Sequence, residues 1–413
     1  MVATATGDLP PERIVETVCI VANMMSIAQA HTPAAEALGD YREELNRWLD
    51  EHAEHAHTRR VLEPQDDAAV AHWRAWQARL ADAGYVGVTW PEEFGGPGGT
   101  AAQQVVVDEE LEKRRISGPF DFVGVGMIGP TLLVHGTPEQ KERYLKPLLR
   151  AEETWCQLLS EPGAGSDLAA VSTKAQPQAD GSWRVDGQKV WTSFAQHAAF
   201  GIMLARTDPD LAKHKGLTMF AVPMDAPGIT IRPLRQITGD AEFNEVFLDD
   251  VRLDDSLRIG GRGEGWRVAV TMLSFERLTV GAGHLAAPVE DLVATVKPAL
   301  GGADDALLRT RLGQVASELL AMGAMSERLR QEISTGRVPG PEAGLVKISS
   351  VSASLAACRL AVDAAGLDAL TDPAWGSQVS ALPGVRSAGG TEEILRNQIG
   401  ERTLGLPAEP RVA

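Results

Sequence analysis

Apolar and polar positions change their rhythm twice along this chain. From about residue 34 to 150 the spacing is helical, as in DYREELNRWLDEHAEHA and AHWRAWQARLADAGYVG, where Leu45, Trp48 and Leu49 or Trp73, Trp76 and Leu80 recur at helical intervals. The glycine-rich stretch WPEEFGGPGGT interrupts this zone, and Pro138 behind Thr137 reads as a capped helix start. From Trp155 to about Leu257 the rhythm becomes alternating. GSWRVDGQKVWTS, GIMLARTD, GLTMFAVPM, GITIRPL and NEVFLDDVRL are short runs between turn residues, with Asp180-Gly181 and Asp186-Gly187 as hairpin signals. After Gly263 the helical pattern returns, through EGWRVAVTMLSFERLTVGAGHLAAPVEDLVATV and DDALLRTRLGQVASELLAMGAMSERLRQEIS. Helices, a compact β block and helices again predict an α+β fold rather than alternating βαβ units, with no internal repeat. The expected divisions are a leader over 1–33, a helical domain over 34–154, a β domain over 155–260 and a helical bundle over 261–413.

Composition narrows the field. The chain has 413 residues, 39 basic against 56 acidic, and a formal net charge of -17. That field disfavours phosphate backbones and anionic lipid, while a local basic site can still hold a small polyanion. Cys19, Cys156 and Cys358 have no metal or redox spacing, which predicts no metal site and fits a reducing, cytoplasmic setting. No apolar run approaches bilayer length, so no membrane insertion is expected. The opening MVATATGDLPPERIVETVCIVANMMSIAQA lacks the pattern of a secretory signal. It reads as a disordered leader, or as an over-extended start with Met24 or Met25 as the true one.

Two segments carry candidate chemistry. EPGAGSD has the composition of a tight loop with exposed N–H groups and a hydroxyl, suited to an anion or a polar ring edge. No Lys-Ser/Thr follows it and no βα unit surrounds it, so it is neither a Walker loop nor a dinucleotide fingerprint; alone it reads as a structural turn. GQKVWTSFAQ puts Trp191, Thr192 and Ser193 at a predicted strand end, where an indole and hydroxyls could flank a flat aromatic cofactor or simply close a core.

Order decides between these readings. SEPGAGSD, DGQKVWTS, FNEVFLDDVRL, GEGWRVA and GGTEEILRNQIGERTLGLP follow one another as they do in the acyl-CoA dehydrogenase family, which the chain resembles over nearly its whole length. The resemblance implies an N-terminal helical domain, a middle β-barrel-like domain and a C-terminal four-helix bundle, with FAD between the last two. By position, Leu158 and Ser160 match contacts to the flavin's pyrimidine side, and Ser166 matches a contact to flavin or the CoA thioester. Trp191, Thr192 and Ser193 match the residues beside the isoalloxazine, Ser193 at the position that bonds N5. Thr391 matches the threonine of the flavin-contacting loop.

The family's reaction needs a carboxylate base with a raised pKa and donors that polarise a thioester carbonyl. In most members the base stands two residues before that threonine. Here the place is Gly389, and Glu392 and Glu393 beyond Thr391 read as first-turn carboxylates of a helix. Isovaleryl-CoA and long-chain acyl-CoA dehydrogenases instead carry the base on the first long helix of the bundle, before an arginine. MLSFERLTVGAG places Glu276 there, before Arg277. The resemblance therefore implies Glu276 as base and Arg277 as an orienting residue. It leaves the Gly389 N–H to bond the thioester oxygen, with Gly390 on the substrate side of the loop. Bulky or branched acyl groups and electron-transferring flavoprotein as oxidant follow as expectations.

Two family motifs that reach a neighbouring subunit's FAD depart from pattern. LVATVKPALGGADDALLRTRLG lacks Arg-x-x-Phe-Gly, and VDAAGLDAL has Asp363 and Leu367 in place of Gln and the second Gly of Gln-x-x-Gly-Gly. A carboxylate there would repel a pyrophosphate. The expected assembly is a homo-oligomer, dimer or tetramer, holding the adenosine end by other residues such as Arg309 or Arg311, or a heterotetramer with a related subunit, as in bacterial relatives acting on steroid side chains. A non-catalytic or half-site subunit and a flavin monooxygenase on the same fold are the alternatives.

Overall fold

The computed structural model describes residues 35–56, 67–280, 289–301, 305–335, 337, 340–341, 343–372 and 375–408. The expected leader, with Met24 and Met25, lies outside them. The chain divides into two compact units: Met1–Gln236, Asp240–Glu276 and Ile333–Val338 in one, and Ile237–Gly239, Arg277–Glu332 and Pro339–Ala413 in the other.

The first unit opens with helices α1 (Ala35–Glu51), α2 (Asp67–Asp82), α3 (Ala101–Lys113), α4 (Gly129–His135) and α5 (Pro138–Leu149). Reciprocal capping boxes start two of them, Thr100 with Gln103 at α3 and Thr137 with Gln140 at α5, the latter with Pro138 in the first turn as its sequence predicts. A π-helical turn, Gly124–Ile128, leads into α4. The buried carboxylate of Asp121 accepts the N–H of Gly124 (2.8 Å) and of Trp155 (3.0 Å), tying the helices to the first strand.

Eight strands make one sheet: β1 (Trp155–Leu158), β2 (Lys174–Pro177), β3 (Trp183–Ser193), β4 (Phe200–Arg206), β5 (Leu217–Pro223), β6 (Ile229–Leu234), β7 (Phe243–Leu253) and β8 (Arg258–Ile259). Their order is β6-β7-β3-β2-β4-β5-β8, with β1 parallel to β4. The sheet curves around one core, because Leu158, Val185, Met203, Phe220, Val246 and Val251 from five strands bury into the same cluster. The Asp180-Gly181 hairpin joins β2 to β3, Gly181 at φ +87°. Asp186-Gly187 does not turn the chain. It lies inside β3 at a register shift against β7, where a Cβ on Gly187 would stand 2.4 Å from the Thr173 hydroxyl.

α6 (Gly265–Val280) starts in the first unit, and its residues from Arg277 belong to the second. There follow α7 (Val289–Val296), α8 (Asp305–Ser334), α9 (Ala343–Ala365), α10 (Leu367–Thr371), α11 (Gly376–Val385) and α12 (Glu392–Arg402). Leu292, Val296, Leu319, Ala357, Leu360, Trp375 and Leu382 form its core. α9 is long and apolar enough to cross a bilayer, contrary to the expectation that no run approaches that length. Its apolar positions fill the core of this unit against α7, α8 and α11, which is what a central bundle helix requires.

Candidate functional site

The end of β3 and the loop after β1 are neighbours in the first unit. The N–H of Val190 donates to the carbonyl of Ser160 (2.9 Å), which places the Leu158–Ser160 segment beside Trp191–Ser193. Between Lys189 and Thr192 the ladder to β7 slips, and the slip turns Trp191 to φ +60°. An indole in that region is strained, and this one is 59% exposed, with only an edge contact to Phe243 (5.9 Å, 83°). Ser193 beside it is half-buried. The Thr192 hydroxyl is buried and, among the described residues, without a hydrogen-bond partner, as is the Oδ1 of Asn244 opposite it on β7. Leu158 is fully buried, whereas Ser166 is exposed at the far side of the EPGAGSD loop.

A buried ion pair holds these pieces in register. Lys189 is fully buried, and its ammonium donates to Glu161 Oε1 (2.8 Å), the Leu159 carbonyl (3.0 Å) and the Leu204 carbonyl (2.8 Å). Glu161 also accepts the N–H and hydroxyl of Ser172 (both 2.7 Å) and the N–H of Thr173 (2.9 Å). Burial would raise the Glu161 carboxyl, but the Lys189 charge and these donors outweigh it and hold it at about 2. Burial lowers Lys189 to about 8 against the pull of Glu161, so both stay charged at neutral pH. Further along the loop, Lys213 bonds both oxygens of Asp167 (2.8 and 2.9 Å).

Glu276 is half-buried on α6, directly after the buried Phe275. Two contacts fix the earlier turns of that helix. The Glu264 carboxylate accepts the Gly261 N–H (2.9 Å) and pairs with Arg267 (2.9 Å), and His135 Nε2 hydrogen-bonds the Thr271 hydroxyl at 2.9 Å. Burial, then the positive field of Arg267, lowers His135 to about 4, so the ring is neutral there at physiological pH. The Arg277 side chain lies outside the described residues.

In the second unit, Gly389 (φ +62°) and Gly390 (φ +93°) form the loop before α12. The Thr391 hydroxyl caps that helix by accepting the Ile394 N–H (3.3 Å). Glu392 and Glu393 open the first turn as expected. Glu392 is buried and paired with Arg386 (3.0 Å) and Arg396 (3.1 Å). Lys347 of α9 donates to the carbonyls of Ala388 and Gly390. Asp363 pairs with Arg311 at 2.6 Å, so two departures noted in the sequence answer each other.

The predicted residues thus fall in two sets: Leu158, Ser160, Trp191, Thr192 and Ser193 are brought together in the first unit, which also contains Ser166 and Glu276, and Arg277, Gly389, Gly390 and Thr391 belong to the second. An exposed indole beside a half-buried hydroxyl and an orphan hydroxyl suits a flat aromatic ring with polar edges, as an isoalloxazine is. Sequence reasoning missed Glu161, Lys189, His135 and Lys347. Lys189 had a signal, a cation at an inward position of an alternating strand two residues before Trp191.

Family models match the chain as the N-terminal (residues 36–152), middle (156–251) and C-terminal (263–404) domains of acyl-CoA dehydrogenase. It is 42% identical over 355 residues to the acyl-CoA dehydrogenase FadE34 of Mycobacterium tuberculosis, covering 84% of this chain and 49% of FadE34; the chain spans about half the length of that relative. It is 38% identical over 388 residues to the acyl-CoA dehydrogenase IpdE1 of the same organism, covering 90% of this chain and 98% of IpdE1. Among solved structures, the Tcur3481–Tcur3483 steroid ACAD superposes with a TM-score of 0.77 at 27% identity, over 91% of this chain and 99% of that one. The ChsE4–ChsE5 complex from Mycobacterium tuberculosis gives 0.73 at 25%, over 92% and 100%.

Proposed function

Because the chain belongs to the acyl-CoA dehydrogenase family, we propose that it is a cytoplasmic FAD enzyme that removes two hydrogens from Cα and Cβ of an acyl-CoA thioester. The observation that carries this reading is the strand end itself: exposed Trp191 with Ser193, tied to the Ser160 loop by the Lys189–Glu161 pair. FAD held there would accept the β-hydrogen as hydride, with electron-transferring flavoprotein as the eventual oxidant. Ser160, Thr192 and Ser193 would supply polar contacts to its ring and Trp191 an apolar face.

Glu276 takes the α-proton. Its half-buried place on α6, next to the buried Phe275, supports this role. Gly389 has no side chain to compete for the proton, and its N–H donates to the thioester oxygen as negative charge develops there. A steroid ACAD among the structural relatives supports a bulky, polycyclic acyl group as substrate.

Anaerobic mixing with a panel of acyl-CoA thioesters tests this. Flavin bleaching is expected with at least one, and Glu276→Gln is expected to keep the flavin and lose the bleaching. Bleaching that survives the substitution removes Glu276 from the role.

A second reading is favoured by Arg311 and Asp363. Their ion pair occupies the place where the family reaches a neighbour's FAD, so this chain would be a half-site subunit of a heterotetramer with a related chain. Structural relatives solved as two-component assemblies support it. Purified alone, such a chain is colourless; the first reading expects one flavin per chain.

A further inference from the structure

The Ala388–Gly390 loop is gripped by a buried cation. Lys347 is 6% exposed, and its ammonium donates to the carbonyls of Ala388 and Gly390, on either side of Gly389. The Ala388 carbonyl and the Gly389 N–H are the two ends of one peptide group. Resonance couples them: a cation at the oxygen draws density from the nitrogen and makes the N–H a stronger donor. The second contact fixes the Gly390–Thr391 peptide, so the positive φ angles of Gly389 and Gly390 between the two anchored peptides are set together. Among the described residues the Gly389 N–H makes no hydrogen bond, which leaves its donor strength available to a ligand.

We propose that Lys347 is a positioning residue for acyl-CoA, one that aims the Gly389 N–H and strengthens it toward the thioester oxygen; this rests on the desaturation reading above. The loop has no carboxylate at 389, so what it contributes to the reacting thioester is its peptide dipole. A lysine buried for packing alone could use any free carbonyl. Here the Ala388 and Gly390 carbonyls flank the one position whose N–H the reaction would use.

Three substitutions separate charge from shape. Lys347→Arg keeps the charge, Lys347→Gln keeps a donor without charge, and Lys347→Met keeps neither. Each flavin-loaded variant is mixed anaerobically with the acyl-CoA that bleaches the wild type. In parallel, difference infrared spectroscopy reads the thioester carbonyl stretch of bound, ¹³C-labelled enoyl-CoA product. Bleaching by Lys347→Gln should be about tenfold slower at saturating substrate, with half-saturation little changed, and the stretch should move to higher wavenumber. Lys347→Arg should recover most of both. An unmoved stretch and an unchanged rate in Lys347→Gln overturn the inference. Should Lys347→Met not fold, the Arg and Gln pair decides alone. A wild type that holds flavin and bleaches with no acyl-CoA overturns the desaturation reading instead.

Discussion

Lys189 and Glu161 meet 2.8 Å apart at the junction of β3 and the loop after β1, both buried, and their remaining side-chain hydrogen bonds reach four other residues on three segments. Such a pair adds little net stability over apolar replacements, but breaking it leaves a charge buried without its partner. Lys189→Met should therefore destabilise the protein by about 3–5 kcal/mol in urea unfolding. Adding Glu161→Gln should return part of that loss, because the stranded charge goes while one side-chain oxygen remains to accept from Ser172 or Thr173. If the double variant is no more stable than the single one, the pair is not the source of the effect. The Glu161 carboxyl lies below its usual range in the fold, so its contribution is present above about pH 4.5 and fades as pH falls toward about 2.

His135 gives a second pH dependence, with consequences for Glu276. Its folded-state pKa, about 4, lies below the ordinary 6.5, so the unfolded chain binds the extra proton first. The contribution of the neutral ring is full above about pH 6.5 and lost as pH falls through 4. Asp121, raised by burial to about 7, acts with the opposite sign over much of that range, so the informative quantity is a difference. The stability of wild type minus that of His135→Gln should shrink on going from pH 7 to pH 4. A constant difference excludes His135 as the titrating group.

Much of this arrangement was legible in the sequence. β4 to β7 fall on the alternating runs, and Thr137 with Pro138 opens a capped helix, because period and cap chemistry are local. Asp186-Gly187 misled for the same reason. The dipeptide satisfies a turn, and only the Thr173 side chain packed against it, from the residue before β2, shows why glycine is required inside a strand. The apolar length of α9 was also missed, since Lys347 and Arg359 break a run that the helix closes on its buried face. Gly389 is read as an absence, and that absence is what points to Glu276 as the proposed base. Glu161, Lys189, His135 and Lys347 act through partners between 11 and 136 positions away, separations that no periodicity records.

The two loop glycines should differ in tolerance. Gly389 at φ +62° sits in the left-handed region an L-residue can enter, so Gly389→Ala should cost roughly 1 kcal/mol. Gly390 at φ +93° lies beyond that region, and Gly390→Ala should cost more from the backbone alone, since the added Cβ would meet Leu395 at an ordinary 3.6 Å. Thermal unfolding of the pair checks the order; equal losses would show that the loop relaxes freely despite Lys347.

Trp191 offers a separation of stability from binding. Its left-handed backbone is strained by roughly 1–2 kcal/mol, and its exposed ring contributes little burial in exchange. Trp191→Gly removes the strain and the edge contact with Phe243 together, so unfolding free energy should change by less than about 1 kcal/mol. Flavin retention should fall by tenfold or more, since the apolar face for the ring is gone, and Trp191→Phe should keep much of it. Measured by equilibrium dialysis against free FAD, unchanged affinity in Trp191→Gly would detach the cofactor from this strand end. A large loss of stability would instead make Trp191 a core residue that happens to lie at the surface.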